Sequence, residues 1–386
     1  MANIPTATYR LQFNGSFGFR EAAVIVPYLA DLGVSHLYAS PIFKARPGSL
    51  HGYDIIDPNT LNPEMGTVGD AELLMETVGR HGMGWIQDIV PNHMAFDSGN
   101  RMLEDVLRKG AHSPFAGMFD IDWEAPSGGL SGRLLAPVLP RPYVLCLERG
   151  DIAVDLDAGG LSVRCSDQRY PLRMESCAAI LSPVLELMLD KSSDGKQGAF
   201  RCILIRLKGM AAGVGDAGIG DDERRRLESG VWELRNADEE VRDALDNRLR
   251  EVNGTPDDSE SFAVLDRILS RQFYRLAHWR VAPECINYRR FFDINHLIGI
   301  RVEDADVFRL THDLIGRLVS RGWITGLRVD HVDGLYDPSG YLERLRHCFP
   351  GLYIIVEKIL APGEELPRPW PAQGTTGYEF LHAVNG

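Results

Sequence analysis

The sequence predicts an α/β fold of parallel strands, of the (β/α)8 TIM-barrel kind, with a large insertion between strands 3 and 4. Strand and helix signals alternate as β-α-β-α-β up to about residue 94, and the alternation resumes at about residue 286. That rhythm implies a parallel sheet with helices packed outside it. Polar residues also cluster where successive strands end, as they do at the mouth of such barrels. Residues 1–94 therefore read as the first part of the barrel with strands 1–3. Residues 95–285 read as an insertion of mixed β and helical character, and 286–386 as the barrel continued through strands 4 and 5 into the start of a sixth.

Thr6 to Phe13 alternates as a strand and Asn14-Gly15-Ser16 turns the chain. Phe19 to Leu32 carries apolar residues at helical spacing, and Gly33 stops it. Val34 to Ser40 is the second strand, ending at Pro41, and a long loop runs through Ala45 to Asp54. Glu72 to His81 is helical, Gly82 closes it, and Met83 to Val90 is the third strand. From Ala95 to Pro140 no period is visible. The alternating runs Tyr143 to Leu147 and Ala199 to Arg206 predict a small sheet. Gly209 to Asp222 reads as a flexible linker, and Glu223 to Val252 as a charged helix with a solvated face. Phe262 to Trp279 is predicted helical, Tyr288 to Phe292 extended, and Val302 to Arg321 helical. Ile324 to Asp330 is the fourth strand, Tyr341 to Cys348 a helix, Leu352 to Glu357 the fifth strand, and Gly377 to Val384 a sixth-strand region.

The chain has 386 residues, 44% of them hydrophobic, ample for a core. A net charge of −13 opposes nucleic acid and anionic membrane as partners and suits a neutral substrate. The six cysteines occur singly with no CxxC, which points to reduced thiols and a cytoplasmic location. The N-terminus has neither the basic nor the apolar region of a signal peptide. No apolar run approaches the ~20 residues that span a bilayer, so a soluble protein is expected.

The chemistry is expected around Gly326 to Gly334. Arg328 and Asp330, two apart on a strand, share a face. The guanidinium would lower the pKa of Asp330 and hold it ionised, which suits a nucleophile or charge stabiliser. An ordinary ion pair at a strand end is the alternative reading. Other strand ends carry His51-Gly52-Tyr53-Asp54, Asp88 with Asn92 and His93, and Glu357. Asp330 and Glu357 on neighbouring strands give two carboxylates facing one cleft. Retaining glycosidic chemistry needs such a pair about 5–5.5 Å apart, one attacking the anomeric carbon and the other protonating the departing oxygen. A less polar setting would raise the pKa of Glu357 enough for it to carry the proton. Tyr53 is placed to stack on a sugar ring and His93 to hydrogen-bond its hydroxyls. Trp123, Trp279 and Trp323 read as core residues.

These segments together resemble the α-amylase family of glycoside hydrolases. Asp88-x-x-x-Asn92-His93, Gly326-x-Arg328-x-Asp330-His331, Glu357 and Gly52-Tyr53-x-x-x-Asp57 match its conserved segments in order and spacing. The resemblance implies Asp330 as nucleophile and Glu357 as general acid/base. It also implies Arg328, His93 and Tyr53 lining the subsite of the attacked glucose, with His331 and His51 beside it and Asp88 and Asn92 bracing the site. Within that family the chain is most similar to the maltooligosyltrehalose synthases, through Thr6-Ala-Thr-Tyr-Arg-Leu-Gln-Phe13, Tyr38-Ala-Ser-Pro-Ile42, Gly48-Ser-x-His-Gly-Tyr-Asp54, Ile286-Asn-Tyr-Arg-Arg-Phe-Phe-Asp293, Val356-Glu-Lys-Ile-Leu360 and Gly374-Thr-Thr-Gly-Tyr378. That group converts the reducing-end α-1,4 bond of a maltooligosaccharide into an α,α-1,1 bond. It needs no cofactor and no metal, and works together with a maltooligosyltrehalose trehalohydrolase. The insertion and the Tyr288 to Asp293 segment are expected to help close the pocket.

Members of the family carry a further catalytic aspartate near the end of the seventh strand, the remaining strands, and a C-terminal β-domain. No segment after Glu357 matches that aspartate, so an incomplete barrel, an N-terminal piece of a longer protein, is expected. Other readings of the same residues are an α-glucan hydrolase of the α-amylase type and a non-catalytic maltooligosaccharide-binding fragment. A metal-dependent hydrolase using His51, His93, Asp330 and His331 is a further one.

Overall fold

The computed structural model describes residues 4–125, 129–189, 194–211 and 221–386. The chain divides into two compact units. The first comprises Met1–Arg101, Gly117–Asp120 and Arg289–Gly386, and the second Met102–Ala116 and Ile121–Tyr288.

The first unit is built on six parallel strands in the order β1 (Thr8–Leu11), β2 (His36–Ala39), β3 (Gly84–Ile89), β4 (Gly326–Val329), β5 (Tyr353–Val356) and β6 (Gly374–Thr375). All five pairings are parallel, and the arrangement fits an incomplete (β/α)8 barrel. Every residue of β3 and β4 is buried, as expected of strands covered on both faces. The connecting helices are α1 (Phe19–Asp31), α2 (Val68–Arg80), α3 (Ala305–Ser320) and α4 (Pro338–Cys348), with α5 (Tyr378–Asn385) after β6. In α1 the buried residues Phe19, Ala22, Val26 and Leu29 recur at the three-and-four spacing of one helix face. Thr67 and Asp70 cap the start of α2 reciprocally, each side chain accepting from the other's backbone N–H. Asp304 and Asp337 cap α3 and α4 in the same way as single acceptors.

Register decides which side chains meet. Thr8, His36 and Gly84 share one inner layer, and Arg10, Tyr38 and Ile86 the next. Asp88 lies opposite Arg328, and Val329 opposite Val356. Gly84 is required by close approach, because a Cβ there would stand 2.2 Å from the His36 ring.

The second unit holds a three-stranded antiparallel sheet (Ile152–Asp157, Gly160–Cys165, Gln168–Pro171) and a parallel pair (Leu134–Leu139, Tyr274–His278). It also contains long helices at Met174–Leu189, Asp194–Ala211, Asp221–Ala237 and Glu239–Asn253. Several local expectations are corrected here. Tyr143–Glu148 is a helix, and so is the run from 199 to 206. In the second run the buried residues Phe200, Leu204 and Leu207 follow helical spacing, and in both the apparent alternation is too short to decide. Residues 262–279 are not one helix. Ala263–Leu269 is helical, but Tyr274–His278 is a strand, with Tyr274 and Leu276 buried on one face and Arg275 exposed between them. Glu223 to Val252 forms two helices, divided where Asp238 caps the second. Of the expected linker, residues 212–220 lie outside the described residues.

In the first unit, the sixth strand is Gly374–Thr375, and Tyr378–Asn385 is helical. The first segment of this unit runs to Arg101, and His93–Ala95 within it pairs antiparallel with Leu297–Gly299. Trp279 is 49% exposed and so is not a core residue; the Arg280 guanidinium lies over its ring. All six cysteines are free thiols. Among the described residues no helix is long and apolar enough to cross a membrane.

Candidate active site

All the predicted site residues lie in the first unit. Parallel pairing of β4 with β5 sets Val329 beside Val356, so the next residues, Asp330 and Glu357, emerge side by side. The Asp330 N–H donates to the Ile89 carbonyl at 2.9 Å, and the Glu357 N–H to the Val329 carbonyl at 2.8 Å, extending the ladder by one residue on each strand. Because side chains alternate, Asp88, Arg328, Asp330 and Glu357 all face the inner side of the sheet.

Arg328 is the hub. Its Nη1 donates to Asp88 Oδ1 at 2.7 Å and to Asp330 Oδ1 at 2.6 Å, and its Nη2 lies 2.9 Å from Glu357 Oε1. Two carboxylates gripped by the two ends of one planar guanidinium stand less than about 8 Å apart, within the range that paired carboxylates use on a glycosidic bond. The other Glu357 oxygen accepts from the His331 N–H at 2.9 Å. His331 adopts the left-handed conformation (φ 48°, ψ 49°), which turns that N–H toward Glu357. Its ring then fills the space over Gly334, where a Cβ would stand 2.1 Å away. A glycine at 334 is therefore a requirement of the histidine.

The second layer comes from the other strands. Asp88 is fully buried and its Oδ2 accepts from the Tyr53 hydroxyl at 2.6 Å and from Tyr38 at 3.3 Å. The Arg10 guanidinium donates to the Tyr53 oxygen at 3.0 Å and lies 3.6 Å from Asp88. Gln12 donates to the Leu50 and His51 carbonyls, holding the loop that carries Tyr53. His51 is exposed and its ring stacks on Tyr53. Asn92 accepts from Arg289, which also donates to the Gly334 and Ile300 carbonyls and pairs with Asp120. His93 is buried against Phe291, and its ring interacts with the Tyr53 backbone. Phe291 in turn packs edge-on to His331. Arg10, Gln12 and Tyr38 lie in the matched segments without a role in the site from sequence, and Arg289 and Phe291 lie in the segment expected to help close the pocket. The signal for Arg10 is there, as a lone charged residue in mid-strand between Tyr9 and Leu11.

One electrostatic expectation is overturned. Arg328 does not hold Asp330 in the ordinary carboxylate range. Burial raises the Asp330 pKa to about 7, opposed by Arg328 and reinforced by the neighbouring Asp88 and Glu357 charges. Three carboxyls share one buried guanidinium, and burial raises Asp88 as well, so the cluster resists carrying three negative charges. Burial also pushes His93 down to about 3, so its ring is neutral and can both donate and accept. Tyr53 and Tyr38 are raised by burial and by Asp88 and stay protonated.

Among the described residues no group of three or more His, Cys, Asp or Glu side chains is disposed to hold a metal ion. A cavity of about 770 Å³ lies within the second unit, lined by residues such as Leu135, Leu269, Leu276 and Val281, and contains none of the predicted site residues.

Residues 24–108 match the α-amylase catalytic-domain family. A Mycobacterium tuberculosis (strain H37Rv) protein named as a maltooligosyl trehalose synthase is 35% identical over 388 residues, which cover 98% of this chain and 38% of that one. The solved structure of maltooligosyltrehalose synthase from Arthrobacter ramosus is 33% identical and superimposes with a TM-score of 0.69, covering 99% of this chain and 38% of that one. A crystal structure of another maltooligosyl trehalose synthase is 31% identical with a TM-score of 0.69, covering 99% and 39%. Residues 24–108 are thus similar to the α-amylase catalytic domain, and nearly the whole chain is similar to maltooligosyl trehalose synthases, spanning somewhat over a third of their length.

Proposed function

We propose that this chain supplies the nucleophile and the general acid/base of a maltooligosyl trehalose synthase site. The reaction is a retaining, intramolecular transglycosylation that turns the reducing-end α-1,4 bond of a maltooligosaccharide into an α,α-1,1 bond. The observation that carries the reading is the convergence of Asp330 and Glu357 on one guanidinium at the ends of adjacent parallel strands. Asp330 attacks the anomeric carbon of the penultimate glucose while Glu357 gives its proton to the departing O4. The freed glucose stays bound and reorients. Glu357 takes the proton from its anomeric hydroxyl, that oxygen attacks the glycosyl-enzyme carbon, and Asp330 leaves. Tyr53 and the neutral His93 hold the attacked sugar, and His331 orients Glu357 through its backbone N–H. Keeping the glucose in place of water makes transfer prevail over hydrolysis. The product is a chain without a reducing end, the substrate for a trehalohydrolase acting with it.

Product analysis on maltopentaose tests this. The expected outcome is a non-reducing isomer of unchanged mass, lost in Asp330→Asn and in Glu357→Gln. Free glucose and shorter sugars would indicate an α-glucan hydrolase, and binding without turnover a glycan-binding chain. Formation of the isomer by Asp330→Asn would overturn the assignment of the nucleophile.

A further inference from the structure

We propose that Arg10 is a positioning residue of this site: it fixes the Tyr53 hydroxyl as a donor to Asp88 and is the second cation of the buried carboxylate cluster. The inference about charge stands on the free protein, and its catalytic consequence rests on the proposed function.

The geometry follows from register. Arg10 lies opposite Tyr38, and Tyr38 opposite Ile86, two residues before Asp88 on the same face. The Arg10 side chain therefore crosses the Tyr38 ring, 5.1 Å from its centroid, and reaches the Tyr53 oxygen at 3.0 Å. A phenol has one proton. With a guanidinium donating to its oxygen, the Tyr53 hydroxyl has only Asp88 Oδ2 to donate to, at 2.6 Å. Arg10 also donates to Gln12, whose own amide holds the Leu50 and His51 carbonyls. Arg10 in β1 and Gln12 just beyond its end thus anchor the hydroxyl of Tyr53 and the loop that bears it.

The charge count needs the same residue. Facing the Asp330 carboxyl and its neighbours are Asp88 from β3, Arg328 from β4 and Glu357 at the end of β5, with the His331 ring beside them and Tyr38 and Tyr53 behind. Arg328 alone faces three carboxylates. Arg10, 3.6 Å from Asp88 and with 37% of its side chain exposed, is the further cation. A hydroxyl fixed by Arg10 also directs a proton at Asp88, which reduces the negative field that Asp330 meets.

Carboxylate carbon NMR of the full chain, labelled at aspartate, reads this directly, with the Asp330 signal identified by its loss in Asp330→Asn. In Arg10→Gln the Asp330 midpoint should rise by about 0.5–1 pH unit, the scale of one partly exposed charge removed from a buried cluster. Arg10→Lys should return it to within about 0.2 unit. In a Tyr53→Phe background, Arg10→Gln should shift it by about half as much, since the hydroxyl relay is gone. An unmoved midpoint in Arg10→Gln, with circular dichroism and melting like the parent, overturns the proposal. An equal shift with and without the Tyr53 hydroxyl overturns its positioning part. If Arg10→Gln does not fold, Arg10→Met gives the same reading. Where turnover is present, the acid limb of kcat/KM moves by the same amount. Absence of turnover in the parent chain counts against the proposed function and leaves the NMR result to decide on Arg10.

Discussion

Replacing Asp330 by asparagine should stabilise the free protein at alkaline pH, although it removes one end of an ion pair. The ordinary aspartate pKa of 3.8 is raised to about 7 in the folded chain by burial, with Asp88 and Glu357 adding to the effect. A carboxyl raised in this way contributes stability that is fully present below the unfolded pKa and is lost as pH rises through the folded one. The shift of about three units corresponds to about 4 kcal/mol at most, and coupling to Asp88 and Glu357 reduces the expected gain to about 2–4 kcal/mol. The amide introduced by Asp330→Asn keeps an oxygen for Arg328 Nη1, so packing changes little. Urea unfolding of parent and variant at pH 8 and pH 4 measures the effect. The variant should be more stable at pH 8, and the difference should close by pH 4, where both side chains are neutral. A variant less stable than the parent at pH 8 would mean that the Arg328 attraction outweighs burial, and the electrostatic account of the site would be wrong.

Arg328→Met strands three carboxylates against one another and should cost about 3–5 kcal/mol at pH 8, read in the same urea titration. Much of that loss should be recovered in acid as the carboxyls protonate. Gly84→Ala sets a methyl 2.2 Å from the His36 ring and 2.7 Å from Thr325 Oγ1, so a loss of about 1–3 kcal/mol is expected, independent of pH between 7 and 9.

The parallel sheet is legible because its strands are short, apolar and punctuated. Met83 to Val90 is apolar apart from Gln87 and Asp88, and Leu352 to Val356 is a continuous apolar run, a pattern that suits strands covered on both faces. Where the reading fails, the run is ambiguous between two periods. Ala199 to Arg206 alternates well enough for a strand, yet Phe200, Leu204 and Leu207 also make one helix face, and packing of that face decides the outcome. Tyr274 to His278 fails the other way. Its strand character depends on pairing with Leu134–Leu139, more than a hundred residues earlier, which no local window contains. The sixth strand expected at Gly377 to Val384 lies one element earlier, since the strand is only the pair Gly374–Thr375.

The site is legible as a set of positions, because a strand's alternation already aligns Arg328 with Asp330 and a parallel ladder aligns Asp330 with Glu357. Its energetics are not. From sequence, an arginine beside an aspartate argues for an ionised aspartate, and that inference holds for a pair in water. In the fold, Asp88, contributed by a strand more than two hundred residues away, claims the same guanidinium, and Glu357 claims its other end. Asp330 is only 5% exposed, while 27% of the Glu357 side chain meets solvent. The nucleophile of the proposed reaction is thus one of the carboxyls that burial makes costly to ionise in the free protein, and Asp88 is another. In the proposed reaction, a sugar that develops positive charge at its anomeric carbon would supply the missing counter-charge at the moment of attack, so what burial withholds from the free protein would favour the transition state. The stabilisation expected of Asp330→Asn in the free protein and the catalytic advantage proposed for Asp330 share one origin, the burial of its carboxylate.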